Sequence, residues 1–149
     1  MAITNDKDFK AALAKLSPIE QRQVAARFVQ RVFALSGDVR VKAALDMALR
    51  PDISDAELAV ISHAANTARV ESYTQCGKET DWNDQAGHFV AKAAATCVRP
   101  AIEGQNLAWD TAMQVRVART CDAAAADNAA DHHREAEEQY AILDAYLSK

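Results

Sequence analysis

Ser17-Pro18-Ile19-Glu20 and, 37 residues further on, Ser54-Asp55-Ala56-Glu57 carry the same local chemistry. In each, the serine hydroxyl can accept from the backbone N–H three residues ahead while the glutamate reaches back to the serine N–H, a reciprocal capping box that opens an α-helix. Pro18 falls at the first helical position, where its missing N–H removes no intrahelical bond. Beyond the first box, Ala25, Phe28, Val29, Val32 and Phe33 recur on one stripe with Gln23, Arg27, Gln30 and Arg31 opposite. That spacing predicts a helix from 18 to about 35, ended by Gly37. Beyond the second box, Leu58, Ile61, Ala65, Ala68 and Ser72 predict a helix to about 75, stopped near Gly77.

The same punctuation extends outward. A short helix is expected from about 7 to 16, and another after Asp38, with Val41, Ala44, Leu45 and Ala48 inward until Pro51 ends it. From about Thr80, the stripe Trp82, Ala86, Phe89, Ala93 and Cys97 runs to Pro100, and residues 99–106 form the longest loop. From about 106 to 126, Trp109, Met113, Val117, Thr120, Cys121 and Ala124 are read as inward. A last helix from about 129 aligns Ala129, His133, Ala136, Tyr140, Leu143 and Leu147. The expectation is an all-α, single-domain antiparallel bundle of about seven helices over residues 1–149, four of them long.

Composition supports that class. The 149 residues include 33 alanines, only 4 glycines and 3 prolines, and 6% aromatics. Alanine loses no side-chain entropy in a helix, whereas strands and hairpins need the β-branched, aromatic and turn residues that are scarce here. All-β and dinucleotide-binding α/β folds are excluded. Methyl-sized side chains also require helix axes to approach near the lower end of the usual range of roughly 8–10 Å.

Net charge is −4, with residues 1–75 at +1 (10 Lys/Arg, 9 Asp/Glu) and residues 76–149 at −5 (7 against 12). This balance opposes nucleic acid or an anionic membrane as the main partner, since phosphates are met by clustered Lys and Arg. Cys76, Cys97 and Cys121 are an odd set without a C-x-x-C pair, so no disulfide framework is encoded. No apolar run approaches the ~20 residues that span a bilayer, and the first residues lack an apolar signal core, so a cytoplasmic location is expected.

Candidate sites are sparse. Glu-x-x-His, which a di-iron bundle needs on two helices, is absent, and no metal or cofactor is expected. His63 and His88 read as solvent-facing, the latter between Asp84 and Lys92, while His133 interrupts an apolar line and His132 points away from it. Cys97 and Cys121 read as small hydrophobes, and Cys76, at a helix C-terminal end, sits where the dipole disfavours a thiolate. Trp82 and Trp109 read as core anchors. No nucleophile elbow, phosphate loop or triad order appears, so the chain does not read as an enzyme.

Two functional readings follow. In the first, the chain binds a protein partner without catalysis, through the acidic stretch around Asp131, Glu135 and Glu138. In the second, Trp109, Cys121, His133 and Tyr140 surround an interior pocket for a small molecule or metal. A homodimer is a third reading, because Val60 and Val70 form an apolar row on the side away from Leu58.

Arg31-Val32-Phe33, then Asp38-Val39-Arg40, then Ala43-Ala44-Leu45 and two alanine-rich helices resemble the all-helical immunity proteins of bacterial toxin systems, over residues 18–126. Val41 stands where that family's Asp-x-Arg-Pro motif has proline. The resemblance implies a cytoplasmic, noncatalytic protein that blocks a partner's active surface, and it assigns no binding residue.

Overall fold

The computed structural model describes residues 2–76, 81–126 and 134–148. Both capping boxes form. Ser17 Oγ accepts from the Glu20 N–H at 3.3 Å and Glu20 Oε1 from the Ser17 N–H at 3.0 Å. Ser54 and Glu57 do the same, at 3.1 Å each way. The described residues form seven α-helices: α1 (Asp6–Ala14), α2 (Pro18–Gln30), α3 (Val39–Ala48), α4 (Asp55–Cys76), α5 (Trp82–Cys97), α6 (Leu107–Ala125) and α7 (Arg134–Leu147). Among them there is no strand, and no helix is long and apolar enough to cross a membrane.

The helix α5 is central. It packs against α6 most extensively, then α4, and also meets α2 and α3. Ala86, Ala91, Ala93, Ala94 and Ala95 are buried with Val90 and Cys97, so its methyl-sized side chains admit neighbours on several sides at once. At one end of the bundle Phe9 fills the gap between helices, with ring centroids 5.7 Å from Phe28, 6.1 Å from Trp109 and 5.1 Å from Tyr140. Among the described residues every buried polar side-chain atom has a partner. Gln21, for example, donates to the Leu13 carbonyl at 3.0 Å and accepts from the Ala108 N–H at 3.3 Å.

Helix α2 stops at Gln30 rather than near Leu35, and the chain turns through a short 3-10 segment, Phe33–Leu35, before Gly37 at φ +66°. The turn lays the chain against α5 at Gly87, where an added Cβ would stand 3.2 Å from the Leu35 carbonyl. Backbone approach, which no periodicity encodes, thus explains a glycine inside a helix.

Two inward stripes are rotated by about one residue from their sequence reading. In α6 the buried side is Leu107, Ala108, Thr111, Ala112, Val115, Ala118, Cys121 and Ala123, so Cys121 lies inward as expected, whereas Val117, Thr120 and Ala124 are exposed. In α7 it is Glu135, Gln139 and Leu143, the last as expected, with Leu147 exposed. The small and amide-bearing faces sit inside because they allow close helix contact and satisfied polar bonds, and larger rings such as Trp109 and Tyr140 lie at the rim. Trp82 is likewise no core anchor; at the first turn of α5 it is 43% exposed.

Candidate functional site

Helix α4 is the longest element, with 22 residues and thus about 33 Å in length. It packs chiefly on α5 and α3, through Leu58, Ile61, Ala65 and Ala68. Its opposite side carries Ala56, Val60, His63, Thr67, Val70 and Thr74, spaced alternately by four and three residues, the spacing of a coiled-coil seam. Val60 is 73% and Val70 53% exposed, and Tyr73 stands at 70% on the flank.

The seam carries no Asp, Glu, Lys or Arg. Charges beside it are held within the chain: Glu57 by Arg50 and Glu71 by Arg40, each at 2.8 Å. Its hydroxyl donors are also satisfied, Thr67 Oγ1 donating to the His63 carbonyl at 3.0 Å and Thr74 Oγ1 to the Val70 carbonyl at 3.1 Å. Covering this strip therefore strands neither threonine hydroxyl and desolvates no carboxylate, ammonium or guanidinium, leaving the His63 ring as its polar group.

A second feature lies on the inner edge of α4. His88 is buried, contrary to its solvent-facing reading, with Nδ1 2.9 Å from Ser72 Oγ and its ring between Tyr73 and Phe89. Ser72 Oγ is also 2.8 Å from the Arg69 carbonyl, and the direction of the Ser72–His88 bond is set by the imidazole tautomer. Burial, followed by the charge of Lys92, lowers the His88 pKa and favours the neutral ring. The adjoining cavity, lined in part by Asp38, Asn83 and Asp84, holds about 130 Å³, below the roughly 300 Å³ where small-molecule pockets begin.

No family model, curated protein or solved structure matches the chain.

Glu135 is buried and bonded to Arg31 Nε at 3.2 Å, because the rotated register of α7 turns it inward, so it cannot meet a partner directly. Glu138 is half-exposed and reaches Arg31 Nη1 at 3.6 Å. Asp131 lies outside the described residues, as do His132 and His133.

Of the expected pocket, Trp109 and Tyr140 do converge, but Phe9 and the Arg116 guanidinium fill the space between them, the guanidinium within 5.7–5.9 Å of all three rings. Arg116 is fixed there by Asp6, at 2.8 and 3.0 Å, and by Gln139 at 2.9 Å. The Tyr140 hydroxyl also donates to Asp6, at 2.6 Å. Cys121 is buried. Among the described residues no group of three or more His, Cys, Asp or Glu is placed to hold a metal ion. The Ser72–His88 pair escaped the sequence reading; its available signal was a serine on the buried stripe of α4, which had to find a polar partner.

Proposed function

We propose that this protein is a noncatalytic helical docking protein that pairs with another polypeptide along the outer seam of α4. The observation that supports the reading is the uncharged four-three seam from Ala56 to Thr74, with Val60 and Val70 exposed and the threonine hydroxyls already bonded within the helix. A helix laid along it would bury apolar side chains at little polar cost. The narrower form of the reading, drawn from the resemblance to immunity proteins, makes the docked chain a bacterial toxin and the location cytoplasmic.

Replacement of Tyr73 by a photo-crosslinking amino acid in living cells tests the docking reading. The expected result is a covalent adduct to a protein chain that disappears when Val60→Glu is added. Absence of any adduct above background overturns it. The immunity form further requires that co-expression rescue cells from the captured toxin.

A further inference from the structure

We infer that the groove between α2 and α7 binds a small organic monocarboxylic acid, with the Arg27 guanidinium holding its carboxylate. The two helices run antiparallel, since Arg31 bonds Glu135 at the start of α7 while Gln23 bonds Tyr146 near its end. Arg27 lies between these two ties and lines two surface cavities, one of about 440 Å³ walled by Leu49 and Leu147, the other of about 400 Å³ walled by Ile142 and Ala145. Both exceed the roughly 300 Å³ at which small-molecule pockets begin.

Arg27 is half-buried, yet its guanidinium donates to no acceptor among the described residues. Every other buried or half-buried arginine there reaches a carboxylate, an amide oxygen or a carbonyl. What holds Arg27 instead is the Tyr146 ring, whose centroid is 5.2 Å from its Cζ. The ring is fixed in turn: the Tyr146 hydroxyl donates to Gln23 Oε1 at 2.9 Å, and Gln23 Nε2 donates to the Leu49 carbonyl at 3.2 Å. A stacked guanidinium keeps its N–H edges open to an acceptor in its own plane, and a carboxylate answers such an edge with two parallel bonds. Little ordering then remains for the ligand to impose.

Charge sets the valence of the ligand. Arg31, four residues on, is already met by Glu135 and Glu138, and Glu20 brings a carboxylate of its own to the first cavity. One uncompensated cation remains, so a second negative charge on the ligand would gain no partner and would be repelled by Glu20. That selects a monocarboxylate over a dicarboxylate or a phosphate dianion. Ile142 and Ala145 select an acid with an aliphatic body, lying in the second cavity, since the first shares its wall with Glu20 and Gln23. The short stem of an Asp or Glu side chain on a protein partner would leave that cavity unfilled.

Hexanoate is the probe, with hexanamide as its uncharged counterpart and adipate as the dianion, each titrated into the full chain and followed by backbone amide NMR signals. Hexanoate should give saturable shifts at Arg27, Gln30, Ile142 and Ala145 with a Kd of about 1 mM, and the other two should bind at least about tenfold more weakly. Arg27→Gln should weaken hexanoate by about tenfold or more, and Arg27→Lys, charged but without the fork, should recover only part of the loss. Ala145→Leu, at an exposed site, should fill the second cavity and block hexanoate while the melting temperature stays unchanged; it carries the test if Arg27→Gln fails to fold.

Equal binding of hexanamide overturns the inference, as does binding indifferent to both Arg27→Gln and Ala145→Leu. Shifts that grow without saturating and spread over the other arginines mean an adventitious anion only and overturn it too. A photo-crosslinker at Gln30 that captures a protein chain only when Arg27 is present, with hexanoate failing to bind, assigns the groove to that protein's carboxylate instead. None of these outcomes bears on the α4 seam, whose Tyr73 test stands apart.

Discussion

Arg22 and Cys97 bond each other twice: Nε of Arg22 donates to the Cys97 carbonyl at 3.2 Å, and the Cys97 thiol donates to the Arg22 carbonyl at 3.5 Å. A further arm of the guanidinium reaches the Arg99 carbonyl at 2.9 Å. Carbonyls at the end of a helix have no intrahelical donor, and a cation there also opposes the negative end of the dipole. Arg22→Met should therefore destabilise the fold by about 2–5 kcal/mol in urea denaturation, since two acceptors lose their donors in a buried place. Arg22→Lys should recover only part of this, because an ammonium lacks the fork that serves two carbonyls. An Arg22→Met variant as stable as the parent would refute the role.

The same contact predicts chemical inertness at Cys97. Full burial pushes its thiol up to about 12, against which the charge of Arg22 works only weakly. The thiolate is the reactive form, so alkylation at neutral pH should leave Cys97 unmodified in the native protein and label it promptly in denaturant. Peptide mapping by mass spectrometry reads the outcome, and rapid native labelling would contradict it.

Glu135 predicts a pH dependence of one sign. Burial raises its carboxyl above the ordinary value of 4.5, with Arg31 opposing, so the folded state keeps this proton to higher pH than the unfolded chain does. Stability from this group is therefore full below that ordinary value and is lost as pH rises through the raised one. Glu135→Gln should match the parent in acid and exceed it by about 1 kcal/mol near neutrality. Glu135→Ala, which leaves a cavity and unpairs Arg31, should cost about 2 kcal/mol in acid and about 1 kcal/mol less than that near neutrality, because it too removes the titrating carboxyl.

His88 predicts the opposite slope. Its pKa in the fold lies below the ordinary 6.5, chiefly through burial, so the unfolded chain takes up the proton first. Its contribution is complete above that value and is lost as pH falls through the lowered one. Melting temperatures measured between about pH 7.5 and pH 5 should fall on acidification, and His88→Gln should flatten that limb. A limb of unchanged steepness in the variant would assign the effect to other groups.

Helix number, the starts of α2 and α4 and the all-α class were legible in the chain because they rest on local chemistry: Ser-x-x-Glu boxes, Pro at a first turn, and an excess of alanine; the expected start of the last helix near 129 lies outside the described residues. So was the outward placement of Val60 and Val70, since α4 follows its spacing faithfully. What only the tertiary structure decided is which side of α6 and α7 faces inward, hence that Glu135 is buried, and on α5 that His88 is buried while Trp82 is exposed. On α6 and α7 large apolar residues of the expected stripes, Trp109, Met113 and Val117 on one and Tyr140 and Leu147 on the other, lie at the rim or exposed. In α6 and α7 the closest contacts are made by alanines and by polar side chains whose hydrogen-bond partners lie on other helices, and a bond such as Gln139 to the Ala112 carbonyl, 27 residues away, exists only once the helices have packed.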